Sequence, residues 1–441
     1  MNETLWYIGG VVFLVLGIMV SIGLHEFGHM IPAKRFGIRV PRYAIGFGPK
    51  LFKKTIGETE YSFNLIPLGG FITMIGMYPP NAGSVDDSKR RFGSIIRQAR
   101  EAHSEFIQDG DQARMFYRLP MLKRVTVMFG GPFMNLVLAV IFFGVAFSAI
   151  GTWQETNGVQ VVVPCVSQMQ NPSVSCTTQD AKTPAAAAGL RAGDRILSVD
   201  GERTPSADVV RAAITAGGIK PHALTIASAN GQNRMLNVTP SLVSMPVYDR
   251  DTGKQAIDGK GNPITQARPI IGIEFAVARQ QQPISTAFEI TGQTVTSTAS
   301  MIAQLPTQMG SLIVGLFDGN GRAADSPVSI VGIGQMAGQA ASAPNADLLD
   351  KLAGNFFLLG SLNVALFTFN LVPLLPLDGG HIASVAYEAV KRAIFRLRKK
   401  PWPGPVDTAR LAPLSQAVFL ALFLMGLIVI VADFASPVSM R

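Results

Sequence analysis

The sequence predicts a polytopic α-helical membrane protein. It would have four transmembrane helices, a membrane-associated β-hairpin region, and one α+β domain outside the membrane. Three observations lead there. Of 441 residues, 48% are hydrophobic and only 15% charged, a sparseness typical of membrane chains. Four uncharged runs, Leu5–Leu24, Val125–Trp153, Leu352–Leu377 and Leu411–Ala432, are each long enough to cross a hydrocarbon core of about 30 Å as a helix. Finally, the formal charge of +9 sits in clusters beside those runs.

The clusters set an expected topology. Lys34 to Lys54 follow the first run, Lys89 to Arg124 precede the second, and Lys391 to Lys400 separate the third from the fourth. Positive loops mark the cytoplasmic side. One arrangement satisfies all three: both termini outside, two cytoplasmic loops, one large outer region. Nucleic-acid binding, the other use of a basic surface, is set aside because the charges hug the spans. A cleaved signal peptide is also set aside for the first run. Its start carries Glu3 and no basic residue, and its apolar stretch is too long.

The expected segments are a first helix over 1–34, a cytoplasmic-side β region over 35–80 and a cytoplasmic insertion over 81–120. Next come a second helix over 121–153, an outer domain over 154–280 and an outer amphipathic segment over 281–351. A third helix over 352–380, a cytoplasmic loop over 381–410 and a fourth helix over 411–433 follow. In the β region, Glu60–Ile66 reads as a strand, Pro67–Gly70 as a turn and Phe71–Ile75 as a returning strand. The hairpin either dips into the membrane, if protein or water satisfies its backbone, or lies in the cytoplasm. In the outer domain, Asn230-Gly231 reads as a hairpin turn between strands. Ser285–Phe317 reads as a surface or bundle-packed helix. Cys165 and Cys176 both fall in the outer region, as a disulfide or as two buried thiols.

The chemistry is concentrated at the end of the first span, in the HEFGH segment His25–His29. Residues i and i+4 share a helix face, so both imidazoles can meet one Zn²⁺. Glu26 stands beside them, placed to take a proton from water. Ionisable side chains are costly in a membrane helix, and a metal supplies the partner they need. A catalytic zinc needs a third protein ligand. Among the five histidines, His103 and His222 lie in the wrong segments and His381 is the weaker candidate. Asp378, in the run NLVPLLPLDGG from Asn370 to Gly380, is the better one. By the charge-derived topology it reaches the same side as His25 and His29. Pro373 and Pro376 break the helix there and open space.

HExxH followed by NxxPxxPxDGG on a later span resembles the site-2 protease family of intramembrane zinc metalloproteases. The GPFMN segment Gly131–Asn135 resembles that family's GxxxN element, and Gly46–Pro49 and Pro67–Phe71 its membrane-associated β region. Ser326–Val331 resembles the segment before the third span. The outer run AAGLxxGDxILxVxG resembles a PDZ domain, and a single copy is most similar to the actinobacterial members. The resemblance implies zinc ligation by His25, His29 and Asp378, with Glu26 as base. It implies substrate binding by Asn370 and Asn135, whose alternative is hydrogen bonding between helices. A captured strand would lie along the hairpin edge at Phe63 and Asn64, beside Pro373 and Pro376. Implied substrates are single-span membrane proteins in the lipid bilayer of a bacterial cell membrane: trimmed anti-sigma factors and signal-peptide remnants. The PDZ-like domain would exclude substrates not yet trimmed. The competing classes are a metal transporter, which would need more polar residues along the spans, and an inactive PDZ scaffold, which would not need Glu26.

Overall fold

The computed structural model describes residues 3–79, 92–170, 175–247, 255–257, 262, 264–318, 327–344, 346–402 and 404–435. The chain divides into two units, Met1–Ile150 with Gln282–Arg441, and Gly151–Gln281. Ser326 and the first part of the expected insertion lie outside the described residues.

The first unit opens with α1 (Glu3–Arg35), which runs through the charge-free stretch and on through HEFGH without a break. Its small residues mark where neighbours come close. A Cβ on Gly28 would meet the Gly130 carbonyl at 2.3 Å, and one on Gly130 would meet the Gly28 carbonyl at 2.2 Å. Two helices can touch backbone to backbone only where side chains are missing. Pro32 contributes as well: it has no N–H for the Gly28 carbonyl.

Strands β1 (Arg42–Ile56) and β2 (Thr59–Thr73) follow. Their register shows more than a hairpin. Lys53 to Ile56 pair with Ser62 back to Thr59, as in a tight turn. Arg42 to Ile45 face Glu60 to Phe63 on one side and Thr73 back to Gly70 on the other. The segment expected as a turn, Pro67–Gly70, stays extended, and Gly69 at φ +95° carries β2 across to the far side of β1. Glu60–Phe63 is therefore flanked by β1 on both sides, and the sheet has two outer edges, the exposed Lys53–Ile56 and Gly70–Thr73. After α2 (Gly93–Ser104), the buried Asp111 accepts from the Arg39 Nη2 at 2.6 Å and ties the insertion to the chain just after α1. The second span is α3 (Met121–Phe143), closed by a π-helical stretch Gly144–Ile150.

The second unit contains β3 (Thr152–Val162), α4 (Val166–Gln170), α5 (Pro184–Ala187), β4 (Arg195–Val199) and β5 (Glu202–Arg203). It continues with α6 (Ala207–Gly217), β6 (His222–Ala227), β7 (Asn233–Val238), β8 (Ser241–Pro246), β9 (Thr265–Ile270) and β10 (Ile273–Gln280). The main sheet has the order β10-β3-β4-β6-β7, with β5 beside β4, and β8 pairs with β9. Its core gathers Val159, Leu190, Ile196, Val210, Leu224 and Ile226. The AAGLxxGD run has a local logic. Thr183 caps α5 through the Ala186 N–H, Leu190 drops into the core, and Gly193 turns at φ +87°. The buried Asp194 then accepts from the Arg191 N–H at 2.9 Å, locking the turn into β4. Cys165 and Cys176 are joined as a disulfide. The first and last strands are partners, with Thr152 opposite Gln280.

The first unit resumes with α7 (Ile284–Asp318) and α8 (Ile330–Ser342). Asp433 caps α8, accepting from Ser329 and Gly332 N–H at 2.8 and 3.1 Å. The third span, α9 (Leu348–Asn370), ends seven residues earlier than the charge-free run suggested. Pro373 and Pro376 hold 371–377 out of helix, and Asp378 instead opens a new helix, α10 (Asp378–Leu397). The stretch 381–410, expected as a loop, is thus largely helical, because Ile382 and Val385 give α10 an apolar side. The last span is α11 (Ala412–Ala435). Among the described residues, four helices are long and apolar enough to cross a bilayer, which makes this a polytopic membrane protein.

Candidate active site

Three donor atoms converge where α1, α3 and α10 meet. His25 Nε2 and His29 Nε2 are 3.2 Å apart, and the Asp378 Oδ2 is 3.3 Å from each. Two ligands held at about 2.05 Å by one tetrahedral ion stand about 3.3 Å apart. The triangle therefore matches a single zinc ion.

The tautomers point the same way. His29 Nδ1 lies 2.8 Å from the Val127 carbonyl and can only donate to it, which leaves the Nε2 lone pair facing inward. His25 Nδ1 lies 3.0 Å from the side-chain amide of Asn135, whose Oδ1 has no other partner. Turning that amide so that Oδ1 accepts from Nδ1–H satisfies both groups and frees the second Nε2. Asp378 Oδ2 is itself buried without a hydrogen bond. Three ligand-type atoms thus face one point, and a cation placed there satisfies all of them at once. Among the described residues, these three are the group spaced to hold a metal ion.

The local sequence explains how each donor arrives. A Cβ on Gly131 would strike His29 Nε2 at 2.2 Å, so the imidazole lies flat over a glycine of α3. The DGG motif is equally determined. A Cβ on Gly379 would meet the carbonyls of Leu371 and Val372 at 2.4 Å, and one on Gly380 the Leu375 nitrogen at 2.4 Å. The proline-bearing loop folds back onto the first turn of α10, and only glycines leave it room. Asp378 is carried inward on that turn.

Glu26 is half-buried next to the triangle. Its carboxylate accepts from the Ile72 N–H, and a Cβ on Gly70 would stand 3.3 Å from its Cγ. The Gly70–Thr73 edge of the sheet therefore runs past Glu26.

The remaining expected residues divide. Asn135 is fully buried, with its amide 3.0 Å from His25 Nδ1. Asn64 is buried, with its Nδ2 bonded to the Gly46 carbonyl at 2.9 Å. Phe63 lies on the inner segment beside it, so neither residue offers a free strand edge. Asn370 is half-buried at the end of α9, and its side chain makes no hydrogen bond among the described residues. Pro373 and Pro376 are exposed in the loop above Asp378. His381 lines a separate cavity of about 20 Å³ with Arg124, Ser384 and Glu388. His222 is bonded to Asp200 in the second unit. Sequence reasoning missed Gly130 and Val127, and also the buried Asn363, which donates to Ser21 Oγ at 2.9 Å one turn above His25.

Bilayer-length helices that bring an HExxH pair and a carboxylate to one buried point define a membrane-embedded metallopeptidase. The chain belongs to peptidase family M50, which residues 13–406 match. It is 30% identical over 443 residues to zinc metalloprotease Rip1 of Mycolicibacterium smegmatis, with 98% of each chain covered. Rip1 of Mycobacterium tuberculosis H37Rv is 28% identical over 450 residues, covering 98% of this chain and 99% of the relative. Metalloprotease MmpA of Caulobacter vibrioides is 28% identical over 395 residues, covering 87% and 88%. The protein is an intramembrane zinc metalloprotease, its cofactor is zinc, and its setting is the lipid bilayer.

Proposed function

We propose that His25, His29 and Asp378 are the zinc ligands and Glu26 the general base and acid, acting on peptide bonds in unwound transmembrane segments of single-span proteins. The observation that carries this reading is the 3.2–3.3 Å triangle of two imidazole nitrogens and a carboxylate oxygen. Zinc bound there supplies a Lewis acid that polarises the scissile carbonyl and acidifies a water. Glu26 accepts that water's proton and returns it to the leaving amine. Val127 and Asn135 hold the two imidazoles in the ligating tautomer.

A helix hides its carbonyls, so substrate must arrive extended. The Gly70–Thr73 edge supports capture by strand addition, since it passes Glu26 directly; this moves the capture site from Phe63 and Asn64 to the opposite side of β1. Asn370, with an uncommitted amide, is suited to hold the same strand, and the exposed Pro373 and Pro376 keep its surroundings open.

The second unit, PDZ-like in its AAGLxxGD turn and strand order, acts as a gate that admits trimmed substrates. Anti-sigma factors and signal-peptide remnants fit that description. The orientation follows the basic clusters: both termini outside a bacterial cell membrane, the metal near the cytoplasmic face. The disulfide supports an outer, oxidising location for the second unit.

The test is mass spectrometry of a trimmed single-span substrate incubated with wild type and with Glu26→Gln, alongside zinc content. A cut within the apolar segment by wild type, lost by at least about 10²-fold in the zinc-replete variant, is expected. Equal cutting by both would remove Glu26 from the mechanism.

A further inference from the structure

Both histidines are held by one helix. On α3, Val127 holds His29, Gly131 seats its ring, and Asn135 holds His25. Asp378 receives no such partner directly; its carboxylate Oδ2 has none. Yet α10, which begins with Asp378, packs on α3. At that contact Arg124 grips Glu388 with two parallel bonds, Nη1 to Oε2 at 3.0 Å and Nη2 to Oε1 at 2.7 Å. Both side chains are 7% exposed. Successive residues of a helix step about 100°, so 124, 127, 131 and 135 fall within an arc of about 80°. A single face of α3 thus reaches every element that brings a donor.

We propose that Arg124 and Glu388 are a positioning pair that sets Asp378 against the two histidines; the proposal rests on Asp378 being a zinc ligand. The glycine-lined loop fixes the first turn of α10, while the direction of its axis is set further along, where it packs on α3. Glu388 lies ten residues on, about 15 Å along the helix. Gripping it there fixes the axis, and with it the direction of Asp378. The fork matters as well as the charge, because a planar guanidinium meeting a carboxylate at two points sets orientation. Glu388 Oε2 also accepts from the Val406 N–H at 3.2 Å, so the pair gathers the approach to α11 onto the same point.

The test uses the full chain in lipid nanodiscs with three readouts: zinc affinity by chelator competition, thermal melting, and kcat and KM on a trimmed single-span substrate. The double variant R124M/E388L removes both charges together, so no buried charge is stranded and the fold is retained. It is expected to melt like wild type, bind zinc at least about tenfold more weakly, and lose kcat while keeping KM. Wild-type zinc affinity and kcat in this folded variant would overturn the proposal. Should it fail to fold, Arg124→Lys decides, since it keeps the charge without the fork: weakened zinc binding supports positioning, and unchanged binding overturns it. Asp378→Ala separates the two layers. If that variant binds zinc like wild type, the ligand assignment itself falls; if it loses zinc while both Arg124 variants keep it, only the positioning role falls.

Discussion

Gly131 stands where any side chain would strike the His29 ring, 2.2 Å from Nε2. Gly131→Ala is expected to push that imidazole off the other two donors. Zinc affinity should drop by about 10–100-fold, measurable by chelator competition, with the four spans still folded. Asn135→Leu should do similar damage from the other histidine, whereas Asn370→Leu should leave zinc untouched and raise KM. At this scale the sequence was informative about chemistry and silent about support. His25, Glu26, His29 and Asp378 could be picked out because their residue types are rare in membrane helices. Gly130 and Gly131 could not be singled out by need, since that need is created by atoms of a different helix. Asn135 is marked by its motif, but the sequence does not show that its amide lies 3.0 Å from His25 Nδ1, because that contact joins two different helices.

Among elements, the small sheet departs furthest from expectation. Alternation along Glu60–Ile66 marks a strand but cannot say which side of it is paired, and here both are. Of the two outer edges, Gly70–Thr73 is the one beside Glu26 and yields a sharp test. Ile72→Pro removes the N–H that meets Glu26 and interrupts strand addition. It should slow cleavage by at least about tenfold, given that general acid–base catalysis contributes about 10²–10⁴, while zinc content stays stoichiometric. Unchanged cleavage would exclude this edge from substrate capture. A second test concerns the tie between the insertion and the end of α1. The Arg39 guanidinium, with the Gln108 N–H, holds the Asp111 carboxyl below its ordinary range. Because the folded value is depressed, the stabilisation is full above about pH 4, the ordinary aspartate value, and fades as pH falls through the lower folded value. Melting temperature should therefore fall with acid below about pH 4. Asp111→Asn should lose that part of the slope and cost about 3–5 kcal/mol at neutral pH by stranding a buried guanidinium.

For the molecule as a whole, four charge-free windows were enough to find the spans. They could not reveal α8, because hydropathy does not distinguish a helix facing lipid from a short one walled in by neighbours. Gly10 of α1 packs on the Ala337 carbonyl, Gly338 on Tyr7, and Gly332 on Asp433; such small-residue contacts carry little hydropathic signal. Nor could they show that α10 is a helix, since Glu388, Lys391, Arg392 and Arg396 leave it no charge-free window although its apolar residues share a side. The gating reading makes its prediction at this scale. Replacing residues 152–280 by a short linker should preserve zinc binding and cleavage of trimmed substrates, and should newly permit cleavage of untrimmed ones, read by mass spectrometry. If untrimmed substrates survive while trimmed ones are cut, the second unit does not gate.

That replacement is feasible for a reason visible in the backbone. Thr152 and Gln280 are hydrogen-bonded neighbours on adjacent strands, and in the other unit the Gln282 N–H meets the Phe147 carbonyl at 2.9 Å. The chain leaves and rejoins the membrane body at nearly one spot. Such a junction behaves like a socket: an insert of different length can bridge the same two points, so exchanging the second unit should add little strain to the frame that carries His25, His29 and Asp378.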